Sequence, residues 1–257
     1  MLNKKDINQK TIILGVYYKS KLPTYAMKFI LLSIFIFGTI SMASAQKQIN
    51  VELKKQLDSI LQLDQGIREF GDTETSEKRK DTIAALFNYS KEVLKKSKWM
   101  IMKEIDSIHL KKVEAIVAKY GYPGKTLVGE PTNTAVFYVI QHNPGNIPKY
   151  YPLIEKAGKS GELPFKYAAM MLDRKLSNEG KEQIYGTQAY SLQIVNSKTG
   201  KKEFFQYVIP IKDAKNVNQR RKKAGFDTTV EENTRRFGFV YKVYTLDEIK
   251  KITKPSN

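Results

Sequence analysis

The spacing of apolar residues changes once along this chain, and that change limits the folds the chain can adopt. From residue 51 to residue 176, apolar residues recur mostly at steps of three or four, which is the period of an amphipathic helix. After Gly180, aromatic and β-branched residues become frequent, and these types favour strands. The sequence therefore predicts an α+β fold that is mostly α-helical, a helical domain with one β-hairpin at about Ile184 to Ile209.

Proline, glycine and capping residues set the expected ends of the helices. Helices are predicted at residues 51–67, 83–117, 131–143, 150–157, 164–176 and 213–223. The pattern at 83–117 is long enough for one helix or for two. Two helices joined near residues 99–106 are favoured, because Asp106 is a suitable start for a helix. Residues 237–244 alternate too weakly for an assignment.

The N-terminal segment has the pattern of an export signal. Lys28 precedes an apolar run that leads to Ala43-Ser44-Ala45, a small-x-small cleavage site. The run is shorter than the ~20 residues of a membrane-spanning helix, so we interpret residues 27–45 as a removable signal peptide. The chain is thus expected to be exported, periplasmic or extracellular, without a membrane span after signal removal.

Domain boundaries follow from this interpretation. Residues 1–26 are interpreted as an upstream extension or a mis-called start, with a single domain predicted at residues 46–250. Residues 251–257 are expected to be a frayed tail.

Charge and composition narrow the possible partners. The chain carries a net charge of +18, and removal of residues 1–45, which contain six lysines and one aspartate, leaves +13. Such a surface favours an anionic ligand or a cell-surface polyanion. No nucleic acid is expected, because the chain has no recognition motif. The absence of cysteine, and two histidines about thirty positions apart, predict no metal site and no cofactor.

Most of the candidate chemistry lies between Gln141 and Gln188. Histidine is the side chain whose ordinary pKa lies nearest neutrality, and the chain contains only His109 and His142. His142 is expected near a helix C-terminus, where it could serve as a general base if Asp173 oriented its ring. His109 is interpreted as a structural or solvent-facing residue.

Other polar residues complete this candidate site. Tyr185 is a third candidate catalytic residue, because its hydroxyl could stabilise developing negative charge. The candidate substrate-binding residues are Gln141, Arg174, Gln183, Thr187, Gln188 and Arg221. Either arginine could hold a carboxylate or another anion through a bidentate contact. Each side chain also has a structural interpretation, in which it caps a helix or bonds a loop backbone.

Six linked motifs resemble an uncharacterised bacterial family, domain of unknown function 6624. They are Tyr122-Pro123-Gly124-Lys125-Thr126-Leu127-Val128-Gly129-Glu130, Gln141-His142, Ala168 with Leu172-Asp173-Arg174, Gln183-x-Tyr185-Gly186-Thr187-Gln188, Pro210-Ile211, and Val217-Asn218-x-x-Arg221 with Gly225. The resemblance covers residues 106–226 and implies a mostly helical domain, but no established activity or cofactor. His109 stands where this family usually has asparagine, and Asn218 where it usually has aspartate.

These observations favour two classes of function over others. The first is a binding or structural module of the cell envelope, stabilised by a polar Gln-His-Asp-Arg-Tyr cluster. The alternative is a small exported hydrolase or transferase with His142 as base, Asp173 as its orienter and Arg174 or Arg221 for an anionic substrate. No specific residue supports a third class, an inhibitor-like protein whose basic surface covers a partner.

Overall fold

Helices make up most of the described structure. It is a computed structural model that describes residues 48–195 and 199–253. Within these residues the helices are α1 (Val51–Glu69), α2 (Glu77–Leu86), α3 (Lys91–Tyr120), α4 (Lys125–Val128), α5 (Ala135–Gln141), α6 (Ile147–Lys159), α7 (Phe165–Asn178), α8 (Val217–Lys223), α9 (Val230–Arg236) and α10 (Leu246–Thr253). One antiparallel hairpin pairs β1 (Ala189–Val195) with β2 (Lys202–Val208). The predicted α+β, mostly helical class is confirmed.

The interpretations of residues 1–26 and 27–45 lie outside the described residues. The described residues, 48–195 and 199–253, belong to one compact unit. None of the helices described in that unit is both long and apolar enough to cross a membrane.

Side-chain caps explain where several helices begin. Asn50 accepts a hydrogen bond from the Leu53 N–H at the start of α1, and Ser76 and Ser90 cap α2 and α3 in the same way. Each cap satisfies one of the N–H groups that a helix start leaves free. At α9, Thr229 and Glu232 form a reciprocal capping box.

The break between α2 and α3 lies at a different position from the predicted one. Two helices are present, as favoured, but they separate at residues 87–90, and α3 continues through 99–106. Asn88 has a positive φ of 54°, and the Ser90 side chain caps α3. Asp106 is therefore inside a helix rather than at its start. Its carboxylate is used in a tertiary contact instead of a cap.

Helices α1 and α3 pack along two separate apolar clusters. The larger cluster joins α1 and the second half of α3 to α5, α6 and α7. The smaller one joins the end of α1 to α2 and the first half of α3. Fully buried members of the two clusters include Leu57, Phe137, Ile154, Ile67, Ile83 and Leu94. Most residues of the predicted amphipathic spacing lie on these buried faces, but Leu86, Val93 and Ile108 are exposed.

The C-terminal third is built on the hairpin. Ala189 pairs with Val208 at one end of the two strands and Val195 with Lys202 at the other. Small apolar clusters connect β2 and the residues after it to α8, α9 and α10. Residues 237–244 form neither helix nor strand, and α10 continues to Thr253, beyond the expected onset of fraying at residue 251.

The hairpin is shorter than predicted. Residues 184–188 form an irregular loop before β1, and Gly186 within it has a φ of +69°. The loop is held elsewhere, because the N–H groups of Ile184, Tyr185 and Thr187 donate to the Asp173 carboxylate rather than to a neighbouring strand.

Candidate functional site

His142 meets a carboxylate that the sequence did not connect with it. Gln141 is the last residue of α5 and His142 its C-cap, as expected. His142 Nδ1 lies 3.0 Å from Oδ1 of Asp64 on α1, 78 positions earlier in the chain. The side chain of His142 is 17% exposed, whereas that of Asp64 is 1% exposed. A partly accessible imidazole therefore rests on a buried carboxylate.

The Asp64 carboxylate is matched by several donors. Gln65 Nε2 donates to Oδ2 at 2.6 Å, and Arg68 Nη1 lies 3.3 Å from Oδ1. Burial alone would raise the pKa of Asp64. The hydrogen bond with His142 and the charges of His142 and Arg68 outweigh burial, so the pKa lies below its usual value. Since Asp64 is then ionised at neutral pH, Nδ1 of His142 is the donor in their hydrogen bond.

Arg68 ties this pair to α3. Its Nη2 lies 2.7 Å and 2.9 Å from the two carboxylate oxygens of Asp106, and its Nη1 donates to the Asp64 carbonyl at 2.7 Å. Charge-assisted contacts of this kind are among the strong hydrogen bonds of proteins. The group Asp64, Arg68, Asp106 and His142, which we call the His142 site, therefore joins α1, α3 and α5.

His109 lies beside this site but takes no part in the hydrogen bonds of the site. It follows Asp106 by one helical turn on α3 and is 3% exposed, so the expectation of a structural or solvent-facing residue is narrowed to a buried one. Its Nδ1 is buried and has no hydrogen-bond partner within the described part of the chain. Burial is the main cause that lowers the pKa of His109.

The His142 site also has the composition of a metal site. Ligand atoms of Asp64, Asp106 and His142 lie within 4.8 Å of one another, a grouping that the spacing of the histidines did not anticipate. Arg68 already donates to both oxygens of Asp106. Each Asp106 oxygen keeps a second lone pair, so a cation bound to all three side chains would share Asp106 with the Arg68 guanidinium.

The expected pair of His142 and Asp173 is not formed. Asp173 on α7 is fully buried, and its oxygens accept hydrogen bonds from the backbone of Ile184, Tyr185 and Thr187 and from the Thr187 hydroxyl. Burial raises the pKa of Asp173, and these hydrogen bonds oppose the rise. With its oxygens occupied by the loop, Asp173 is unavailable to orient a histidine.

Three other candidate residues hold the same loop. Gln183 Nε2 donates to the carbonyls of Gln188 and Ile209, and its Oε1 accepts from the Gln188 N–H. The Gln188 side chain donates to the Thr187 hydroxyl at 3.0 Å. Together with Asp173 they form a closed network, here called the Asp173 network. Its geometry matches the structural interpretation of these residues.

The Arg221 guanidinium also donates hydrogen bonds to backbone carbonyls. It is 2% exposed, donates to the carbonyls of Tyr185 and Thr228, and packs 4.5 Å from the Phe226 ring. Tyr185 contributes its backbone to this arrangement, and burial is the main cause that raises the pKa of its hydroxyl. Neither side chain meets His142 in a hydrogen bond or ion pair.

Gln141 and Arg174 differ from the other candidates. Gln141 is 9% exposed, and within residues 48–195 and 199–253 its side chain forms no hydrogen bond. The Arg174 side chain likewise forms no hydrogen bond within these residues, and its Nε is buried. The nine candidates therefore separate into the His142 site, the Asp173 network with Arg221 and Tyr185, and these two side chains.

A comparison with protein families decides the relationship suggested by the motifs. Residues 61–245 match the model of a family described as "Family of unknown function (DUF6624)". The chain belongs to this family. Comparison with curated proteins and with solved structures found no match.

The DUF6624 match extends beyond the motifs found in the sequence. The resemblance covers residues 106–226, whereas the matched region begins at residue 61 and includes Asp64 and Arg68. A signal for Asp64 exists in the helical spacing. Asp64 lies on the same stripe of α1 as Leu57, Ile60 and Ile67, all of which are buried. An acid on an apolar stripe needs a partner, and this marks Asp64 as unusual.

Replacement of Asp173 is expected to destabilise this DUF6624 protein strongly. Asp173→Ala leaves three backbone N–H groups and a hydroxyl without their acceptor, and each unsatisfied buried group costs ~1–3 kcal/mol. We expect the free energy of unfolding, measured by urea denaturation, to fall by at least ~3 kcal/mol. Asp227→Ala is a suitable control because Asp227 is 87% exposed and should change stability by less than ~0.5 kcal/mol. A variant as stable as the parent would exclude the structural role of Asp173.

Replacement of His109 tests the effect of its burial on pH dependence. Because the pKa of His109 is lowered in the folded state, the unfolded chain binds its proton more readily, and stability is lost as pH falls through ~6.5. His109→Asn removes the titrating ring and with it that loss. Urea denaturation from about pH 8 to about pH 5 should show a growing advantage of the variant. A constant difference between variant and parent across this range would contradict the account of His109.

Proposed function

We propose that the protein is a hydrolase or transferase in which His142 acts as a general base and Asp64 orients it. The observation that supports this proposal is the 3.0 Å contact between His142 Nδ1 and the buried Asp64 carboxylate. When Nδ1 donates to a carboxylate, Nε2 carries the lone pair that accepts a proton. Within the described residues Nε2 has no partner, and the ring is partly exposed. A substrate proton could therefore reach it.

Arg68 and Asp106 have a supporting role in this proposal. Arg68 contacts both carboxylates and is 22% exposed, so its position relative to His142 is fixed by two ion pairs. A fixed positive charge beside a general base can stabilise negative charge that develops on the substrate. We therefore assign Arg68 as a positioning residue and a source of electrostatic stabilisation, in place of Arg221, whose guanidinium is bound to backbone carbonyls.

The structural role that the sequence favoured fits the Asp173 network better than the His142 site. The Asp173 network is closed and satisfies its own hydrogen bonds, which supports a structural role for Asp173, Gln183 and Thr187. We propose that this network shapes the C-terminal third while the His142 site carries the chemistry. Export to the periplasm or beyond remains part of the proposal and rests on the sequence of residues 27–45.

A panel of chromogenic esters, phosphoesters and glycosides tests the enzymatic proposal. The parent is expected to turn over at least one class of substrate, and His142→Gln should lower its kcat by about 10²- to 10⁴-fold. Asp64→Asn should also lower the rate, because an amide that donates to Nδ1 favours the wrong tautomer of the ring. Asp247→Asn, on the exposed side of α10, is the matched control and should retain the parental rate.

Two further readouts separate this mechanism from other interpretations. Thermal melting of each variant shows whether a loss of rate is a loss of folding. Activity should persist in EDTA, because the proposed base is the His142 ring oriented by Asp64 and no step of the proposal requires a cation. Full activity of folded His142→Gln, or a rate abolished by EDTA and restored by a divalent cation, would contradict the general-base proposal.

A further inference from the structure

A groove lies alongside α7, apart from the His142 site. It consists of two surface depressions, of about 430 Å³ and about 340 Å³, that share Thr187 and Phe237 in their walls. Lys166 and Met170 line the first depression and Arg174 lines the second. These three residues are spaced by four along α7 and so follow one face of the helix. No residue of the His142 site lines either depression.

Arg174 is the unusual residue of this groove. It has no hydrogen bond or ion pair with any residue of the described chain, and its Nε is buried. Burial lowers the pKa of Arg174, but an arginine remains charged in proteins. Arg174 as a whole is half-buried: its Nε is buried, while its two Nη groups reach the surface of the depression. A partly desolvated guanidinium without an internal partner keeps its charge and its donors available to a ligand.

The adjacent carboxylate does not compensate Arg174. Asp173 points toward the loop at residues 184–188 and accepts four donor groups there. Successive residues on a helix point in directions about 100° apart, so the two side chains face different surroundings. The guanidinium thus keeps its donors for a group that comes from outside the chain.

Neutral polar residues and apolar residues surround the guanidinium. Ser191 on β1 and Gln206 on β2 line the same depression and are direct cross-strand partners, so both side chains leave one face of the hairpin. Phe237 and Phe239 form an apolar wall beside them. Phe237 is 55% exposed, which is unusual for so large an apolar side chain. An anion bound here would have both polar donors and an apolar surface.

The charge of the groove favours the same kind of ligand. Its lining includes four cationic residues, Lys166, Arg174, Arg221 and Arg236, and one carboxylate, that of Asp227. Asp227 is 87% exposed and lies 3.4 Å from Lys166, so its screening of the other cations is weak. The net field therefore attracts anions toward Arg174.

We propose that this groove binds a small amphiphilic oxyanion, with a carboxylate or phosphate head on Arg174 and an apolar body against Phe237. The guanidinium offers a bidentate fork that suits either head group. Ser191 and Gln206 donate further hydrogen bonds to the head. This binding site is independent of the general-base proposal, since it shares no residue with the His142 site.

Isothermal titration of the full chain with benzoate and with phenyl phosphate tests the proposal. At least one of the two anions should bind, and their comparison distinguishes a carboxylate from a phosphate head. Benzyl alcohol, which has the apolar body without the charge, should not bind. Arg174→Gln should weaken binding by about ten- to a hundredfold, because it removes charge-assisted hydrogen bonds. Arg174→Lys should give an intermediate affinity, since it keeps the charge and loses the fork.

Controls separate a binding role from a structural one. Arg235→Gln removes the same charge from an exposed position outside the groove and should change affinity by less than about twofold. His142→Gln should bind as the parent does. Without ligand, Arg174→Gln should melt close to the parental temperature, because Arg174 makes no hydrogen bond or ion pair with another described residue. Failure of both anions to bind the parent, unchanged affinity in Arg174→Gln, or a lower melting temperature of Arg174→Gln would each overturn the proposal.

Discussion

The buried carboxylate of Asp64 is the interaction on which the arrangement of the helical half depends. An ionised group without exposed surface is costly unless hydrogen bonds and opposite charge replace its hydration. Asp64 obtains them from Gln65 and Arg68 on its own helix and from His142 at the end of α5. Arg68 in turn reaches Asp106 on α3. Three helices therefore meet around one charge, and their apolar faces pack on either side of it.

Asp173 is also a buried carboxylate, but different groups replace its hydration. Its carboxylate is matched mainly by backbone N–H groups, so it shapes a loop rather than joining helices. Such a network satisfies its own hydrogen bonds, although Thr187 and Gln188 also line the groove beside α7. The His142 site retains an accessible ring edge, and the groove beside α7 retains an unpaired guanidinium. Because the Asp173 network makes its hydrogen bonds internally, we assign it a structural role. The His142 site and the groove each keep a hydrogen-bonding group that is free within the described residues, so we assign them chemistry and binding.

The sequence predicted the local features well and the distant contacts poorly. Apolar spacing located the main helices, and the change in residue types after Gly180 located the hairpin. Periodicity cannot show which helices are neighbours. The sequence therefore predicts Asp173 as the partner of His142, whereas the structure pairs His142 with Asp64, 78 positions away. The residue types at 184–188 predict a strand, whereas N–H groups of this loop donate to the Asp173 side chain. Apolar spacing likewise does not predict the short segment between α2 and α3, where Asn88 has a positive φ.

The tautomer of His142 tests the central claim most directly. With only two histidines in the chain, a long-range ¹H–¹⁵N spectrum of the imidazoles is simple, and His109→Asn assigns the remaining signal. Donation from Nδ1 to Asp64 predicts that neutral His142 carries its proton on Nδ1 and leaves Nε2 unprotonated, with this preference lost in Asp64→Asn. A neutral ring protonated mainly on Nε2 in the parent would show that Asp64 does not orient His142 for proton abstraction.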